Sequence, residues 1–219
     1  MTEAEWLLWG EPIPLLTFVG NTASARKLRL FTVACCRRLH GGKLSAEERK
    51  AIETAERYAD GLLAVDHLVE ACAWVSDHPR LQQGPVHCAV CVSISPYVDI
   101  AVEEIARRAG EDFIKRRFRW LLDRRAGEYA ERSELAVFAD FLRDIFPFRA
   151  VSSDPSWRTS TVTTLATQMY DSRDFSAMPI LADALQDAGC DSTDVLDHCR
   201  SPGPHVRGCW AVDWALRKE

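Results

Sequence analysis

Apolar residues recur every three or four positions through most of the chain, which is the spacing of helices that bury one face. Clear stripes of this kind are formed by Leu28, Phe31, Cys35 and Leu39, and by Leu135, Phe138, Leu142 and Ile145. No segment shows the sustained alternation of a half-buried strand, although the apolar residues 87–95 fit either a strand or a buried helix. The pattern therefore predicts an all-α fold, a single globular multi-helix domain with at most two helical lobes.

Capping signals divide this pattern into separate helices. Thr2 with Glu5, and Ser45 with Glu48, have the spacing of capping boxes, in which two side chains bond the free backbone amides of a first turn. Ser133 precedes the second apolar stripe and is predicted to cap its helix. We predict one helical domain over residues 1–219, with a distinct middle helical region at 71–134 and a C-terminal helical hairpin at 178–219.

Composition and charge narrow the classes of function. With 47% hydrophobic residues in 219, the chain can bury a sizeable core without disulfides or metal. A net charge of −5 argues against nucleic-acid binding and against anionic membranes. No apolar run reaches the roughly 18 residues of a membrane span, and no signal peptide is recognisable, so we expect a cytoplasmic protein. Its eight cysteines should be reduced, as core residues, metal ligands or reactive thiols.

Residues 190–209 gather the densest set of metal-capable side chains. Cys190, His198, Cys199, His205 and Cys209 follow the pattern C-x7-H-C-x5-H-x3-C, which supplies enough ligands for a tetrahedral zinc site. The spacing is not that of a standard zinc finger, and two adjacent helical residues cannot easily face one ion. Alternatively, the cysteines are buried core residues and the histidines hydrogen-bond the loop. Zinc is the one cofactor that this pattern suggests.

The same loop offers a possible anion site. Arg200, His205 and Arg207 flank a Pro/Gly-rich turn that precedes a helix, where free backbone amides attract phosphate or carboxylate groups. The loop is also a possible contact surface for a partner protein. In the alternative interpretation, the arginines bond nearby carbonyls and hold the loop in shape.

Two features of the middle region are weaker signals. Cys88 and Cys91 form a C-x2-C pair, but their apolar surroundings favour core cysteines over reactive thiols or metal ligands. The mixed charges from Arg107 to Arg132 are typical of a solvated helix face, with a phosphate-binding groove as the alternative.

The absence of a recognisable catalytic constellation favours a non-enzymatic function. Tryptophan is a common anchor of protein interfaces, and five tryptophans lie near predicted helix ends and loops: Trp6, Trp9, Trp157, Trp210 and Trp214. We therefore expect a protein-interaction, adaptor or regulatory domain that binds another protein. The alternative is a small metal- or cysteine-dependent enzyme, or a structural zinc protein, centred on Cys190–Cys209. A nucleic-acid-associated role ranks third.

Five runs of sequence resemble a known family. They are RLFTVACCRRL (Arg29–Leu39), ERYADGL (Glu56–Leu62), LRDIF (Leu142–Phe146), MPILADALQDAGC (Met178–Cys190) and HCRSPGPHVRGCWAVD (His198–Asp213). They resemble a large paralogous family of uncharacterised planctomycete bacterial proteins. The resemblance covers roughly residues 1–64 and 140–219, whereas the middle departs from it. It implies a helical domain sometimes joined to others, and carries over no activity, cofactor or catalytic residue.

Overall fold

The computed structural model describes residues 1–20, 23–40, 44–77, 128–151 and 154–218. Within these ranges the chain forms ten α-helices and no strand, which confirms the all-α prediction. The helices are α1 (Glu3–Leu8), α2 (Pro12–Val19), α3 (Ala25–His40), α4 (Ala46–Ala59), α5 (Val65–Ser76), α6 (Glu128–Ile145), α7 (Ser160–Ser172), α8 (Met178–Asp187), α9 (Thr193–Arg200) and α10 (Trp210–Leu216).

The chain divides into two compact units, Met1–Leu142 and Arg143–Glu219. Among the described residues, no helix is both long enough and apolar enough to cross a bilayer. The Cys88 and Cys91 pair lies outside the described residues, as do the side chains from Arg107 to Arg132.

Capping boxes begin two helices of the first unit, as predicted. The Thr2 hydroxyl accepts a hydrogen bond from the Glu5 amide at 3.2 Å, and the Glu5 carboxylate accepts one from the Thr2 amide at 2.7 Å. Ser45 and Glu48 form the same pair of bonds at the start of α4. The prediction for Ser133 is wrong. That residue lies inside α6, which begins at Glu128 because the residues before Ser133 include good helix formers.

In the first unit, α4 packs between its neighbours in the chain, α3 and α5. The apolar residues that meet there include Val33, Cys36, Leu44, Ala51, Ile52, Ala55 and Leu68. Beside this core, Arg37 donates two hydrogen bonds to the buried carboxylate of Glu56, at 3.1 and 3.0 Å. The bidentate geometry offsets part of the cost of removing that carboxylate from water.

The second unit has a hydrophobic core of its own. Helix α7 packs against α8 and α10, α8 against α9, and α9 against α10. The buried residues of this core include Trp157, Val162, Ala166, Met169, Tyr170, Met178, Leu181, Ala182, Leu185, Cys190, Val195, Leu196, Cys199, Cys209, Ala211, Val212 and Ala215. This local packing is what holds the loop between α9 and α10 against the unit.

Two arginines close the carboxyl ends of helices in the second unit. The Nε of Arg207 donates to the Tyr170 carbonyl at 2.8 Å, and its guanidinium lies 4.4 Å from the centre of the Tyr170 ring. Arg158 makes the same two contacts with Trp214, at 2.9 and 4.6 Å. Each cation satisfies a carbonyl at a helix end, where positive charge is favourable. The Arg207 bond also fastens the loop between α9 and α10.

A candidate metal centre in the second unit

Four metal-capable side chains converge inside the second unit. Asp144 comes from the last turn of α6, His198 from α9, His205 from the loop that follows, and Cys209 from the position that begins α10. One ligand atom from each of the four lies within 4.8 Å of the others. The polypeptide therefore gathers a carboxylate, two imidazoles and a thiol around one point.

Asp144 is the centre of this cluster. His205 donates through Nδ1 to its Oδ1 at 2.6 Å, and the Val206 amide donates to its Oδ2 at 2.8 Å. The Nε2 of His198 lies 3.3 Å from Oδ1. Burial acts to raise the pKa of Asp144, but the hydrogen bonds and charges of both histidines outweigh burial and leave that pKa below its ordinary value. Asp144 is therefore an ionised carboxylate at neutral pH.

His198 contacts every other member of the cluster. Its Nε2 lies 3.2 Å from the Cys209 Sγ as well as 3.3 Å from Asp144. Its ring centre is 5.1 Å from that of His205 and 4.5 Å from that of Trp210. One imidazole nitrogen thus points at both the carboxylate and the thiol.

The loop between α9 and α10 is shaped by a glycine. Gly208 has a φ of +94°, a conformation that residues with a side chain rarely adopt. The turn there is closed by a hydrogen bond from the Cys209 amide to the Val206 carbonyl, at 3.0 Å. It places Cys209 at the start of α10 with its thiol directed inward.

The Cys209 thiol is fully buried, and this controls its protonation. Burial and the nearby charge of Asp144 raise its pKa well above the ordinary value of 9.0. A thiol in this state is neutral at physiological pH and unreactive as a nucleophile. It becomes a thiolate only when a cation replaces its proton.

One buried nitrogen in the cluster has no hydrogen-bond partner among the described residues. The His205 side chain is 6% exposed, and its Nε2 is buried without a hydrogen bond among the described residues. Buried polar atoms are bonded in the great majority of cases, so an orphaned ring nitrogen points to a missing ligand such as a water or an ion.

The distances can be compared with those of a tetrahedral zinc site. Zinc lies about 2.0 Å from nitrogen and oxygen and about 2.3 Å from sulfur, so its ligands are separated by roughly 3.3 to 3.5 Å. The two distances from the His198 Nε2, 3.3 Å to Asp144 and 3.2 Å to Cys209, are close to these values. The 2.6 Å contact between Asp144 and His205 is shorter. It must lengthen by about 0.7 Å, or the ion must use the free Nε2 of His205.

Of the five predicted metal ligands, the structure brings three together. His198, His205 and Cys209 lie in the cluster, whereas Cys190 and Cys199 are part of the hydrophobic core. Burial raises the pKa of Cys199 to about 12, as expected for a core thiol. Asp144 is not among the predicted ligands, because it lies far from the other three residues in the sequence.

The arginines of the predicted anion site have partners within the unit. Arg200 donates to Gln186 at 2.6 Å and to Asp183 at 3.2 Å, on the surface. Arg207 bonds the Tyr170 carbonyl. The Arg207 bond is of the kind that the alternative interpretation predicts, whereas the bonds of Arg200 join α9 to α8.

Comparison with known proteins does not test the predicted family resemblance. The resemblance to a planctomycete family therefore stays a prediction. No protein-family model, no curated protein sequence and no solved structure matches the chain.

Proposed function

We propose that the second unit is a metal-binding unit whose structural Zn²⁺ is held by Asp144, His198, His205 and Cys209. The observation that carries the proposal is the convergence of the four ligand atoms within 4.8 Å. These residues come from the end of one helix, a second helix, a loop and the start of a third. An ion at this point would therefore fasten all four segments together.

Charge balance supports a divalent ion. Asp144 and a deprotonated Cys209 supply two negative charges, and the two neutral imidazoles supply none. A divalent ion makes the buried site neutral overall, whereas a monovalent or trivalent ion leaves an uncompensated buried charge, which is costly. Two imidazoles and a thiolate favour zinc over magnesium and calcium, which prefer oxygen ligands.

The ligand count supports a structural role over a catalytic one. Structural zinc sites have four protein ligands, whereas catalytic sites keep one position for water or substrate. Cysteine catalysis is also disfavoured, because it needs an accessible thiolate and Cys209 is fully buried. In addition, His198 faces Cys209 and Asp144 with the same nitrogen. In a catalytic triad the carboxylate bonds the opposite nitrogen of the histidine.

Metal content measured by elemental mass spectrometry tests the proposal. The full chain is purified without chelator, together with Cys209→Ser and the matched control Cys199→Ser. Both cysteines are fully buried and lie in the same unit, but only Cys209 belongs to the cluster. We expect about one zinc per chain in the wild type and in Cys199→Ser, and a loss of zinc in Cys209→Ser. Folded wild type that takes up no zinc, or equal loss in both variants, refutes the proposal.

The second candidate function is binding to another protein through the first unit. Leu7, Leu8 and Trp9 are 62, 83 and 44% exposed at the end of α1. Tryptophan is a common interface anchor, and the two leucines extend the exposed apolar surface beside it. The test compares co-purified partners of the wild type with those of Leu8→Glu. Ile180→Glu, also at an exposed apolar residue but in the other unit, is the control. A partner retained by the control and lost from Leu8→Glu supports this function, and identical partners in all three proteins contradict it.

A further inference from the structure

Among the described residues, the second ring nitrogen of His198 has no hydrogen-bond partner from the protein. A metal-binding histidine normally donates its second ring N–H to a carboxylate, a carbonyl or a water, which fixes the orientation of the ring. The Nε2 of His198 faces Asp144 and Cys209. Among the described residues, no protein group bonds its Nδ1, so any support that the protein itself gives this ring comes from packing.

Trp210 provides that packing. The centres of the Trp210 and His198 rings are 4.5 Å apart, with an angle of 39° between their planes. This distance is at the close end of the range for aromatic pairs, and the two rings are tilted relative to each other. The χ2 angle of histidine has a broad distribution, so an unsupported imidazole swings easily about this bond. The Trp210 ring, packed this close to the imidazole, restricts its rotation about χ2.

The position of Trp210 in the chain couples it to the same site. It follows Cys209 directly, and the two residues begin α10. One dipeptide thus supplies the thiol and the ring that lies against the histidine facing that thiol. A shift of α10 displaces both groups together.

We infer that Trp210 is a positioning residue, which keeps the Nε2 of His198 directed at the metal position between Asp144 and Cys209. The inference rests on the proposed metal site and adds to it a residue that donates no ligand atom. Mutation of groups that orient metal ligands typically lowers metal affinity by about 10- to 100-fold. Replacing Trp210 should lower the metal affinity by a similar factor, because its ring packs against His198.

Titration with Co²⁺ tests this role, because Co²⁺ adopts the tetrahedral geometry of zinc and its visible spectrum reports that geometry. The variants are Trp210→Leu, which keeps an apolar side chain without a flat ring, and Trp210→Phe, which restores a flat ring. Trp214→Leu is the matched control. Trp214 also lies on α10 and is also half-buried, but it packs against Trp157 and Arg158 and not against the cluster.

We expect Trp210→Leu to bind Co²⁺ about 10- to 100-fold more weakly than the wild type, with an altered visible spectrum. Trp210→Phe should recover most of the affinity, and Trp214→Leu should bind like the wild type. Thermal unfolding of the metal-free proteins separates positioning from folding. The two leucine variants should lose similar stability, although only one of them loses affinity.

The outcomes separate the two proposals. A wild type that binds no Co²⁺ overturns the metal site and the positioning role together. A wild type that binds Co²⁺ while Trp210→Leu binds equally well overturns the positioning role alone. Equal weakening in Trp210→Leu and Trp214→Leu also overturns it, because the effect would then follow from α10 stability.

Discussion

Replacing Asp144 by asparagine tests the centre of the cluster with almost no change of shape. The carboxylate accepts close hydrogen bonds from His205 and the Val206 amide, at 2.6 and 2.8 Å. Asparagine has one acceptor oxygen, so it can keep one of these bonds, while its amide group then faces the other donor. A hydrogen bond to a charged group contributes about 1.5–3 kcal/mol. We therefore expect Asp144→Asn to destabilise the second unit by about 2–3 kcal/mol.

Calorimetry of the full chain measures this effect. For a unit of this size each kcal/mol lowers the Tm by about 4–8 °C, so the transition of the second unit should fall by roughly 10–20 °C. Zinc should raise the Tm of the wild type and raise that of Asp144→Asn much less, because the variant keeps only three of the four proposed ligands. The control is Asp183→Asn, which removes the same charge from an exposed pair with Arg200. An exposed pair contributes at most about 1 kcal/mol, so the Tm of the control should fall by less than about 8 °C. An equal shift in both variants refutes this account.

The pH dependence follows from the lowered pKa of Asp144. A carboxylate whose pKa is lower in the folded protein adds stability that is complete above its ordinary pKa of 3.8. That stability is lost as the pH falls through the folded value. The difference in unfolding free energy between the wild type and Asp144→Asn should therefore be largest at neutral pH and decrease below pH 3.8. If this difference in stability grows as the pH falls, the pKa of Asp144 is not lowered in the folded protein.

Three further predictions concern other contacts. Zinc binding should release the proton of Cys209, whose pKa burial raises, so calorimetric binding heats should vary with buffer ionisation enthalpy and affinity should fall as pH falls. Arg207→Ala removes a bond to the Tyr170 carbonyl and a cation–π contact, and should destabilise the second unit by about 1–3 kcal/mol in urea unfolding. Ser45→Ala removes the cap of α4 that includes Glu48, and should cost about 1 kcal/mol in the same assay, whereas Ser45→Asp should retain most of that stability.

The helices were largely predictable because their signals are local. Both capping boxes lie where the spacing places them, and Gly61 and Gly189 adopt a positive φ just beyond α4 and α8. The start of α6 was not predictable from Ser133. A serine inside a helix carries the same sequence signal as a serine at its first turn, and neighbouring helix formers decide between them.

The candidate metal-binding residues could be predicted only in part. His198, His205 and Cys209 lie within twelve residues, so their proximity is visible in the sequence. Asp144 joins them across 61 residues, through the packing of separate helices. The sequence signal for Asp144 is its position, since it is a charged residue directly before the apolar Ile145, near the end of an amphipathic helix. Cys199 is not in the cluster, in line with the expectation that adjacent helical residues do not face one ion, because a residue next to His198 points about 100° away around the helix.

The wide separation of the ligands affects when the site can be completed during protein synthesis. Residues 198–209 form a compact local segment, whereas Asp144 belongs to a part of the chain that is translated 61 residues before His205. Because translation is slow relative to the formation of a helix, Asp144 is exposed for several seconds before its partners emerge. Nascent chains that end before Cys209 lack at least one of the proposed ligands and should hold zinc weakly. On the proposed function, zinc would be loaded late in synthesis, once α10 has left the ribosome.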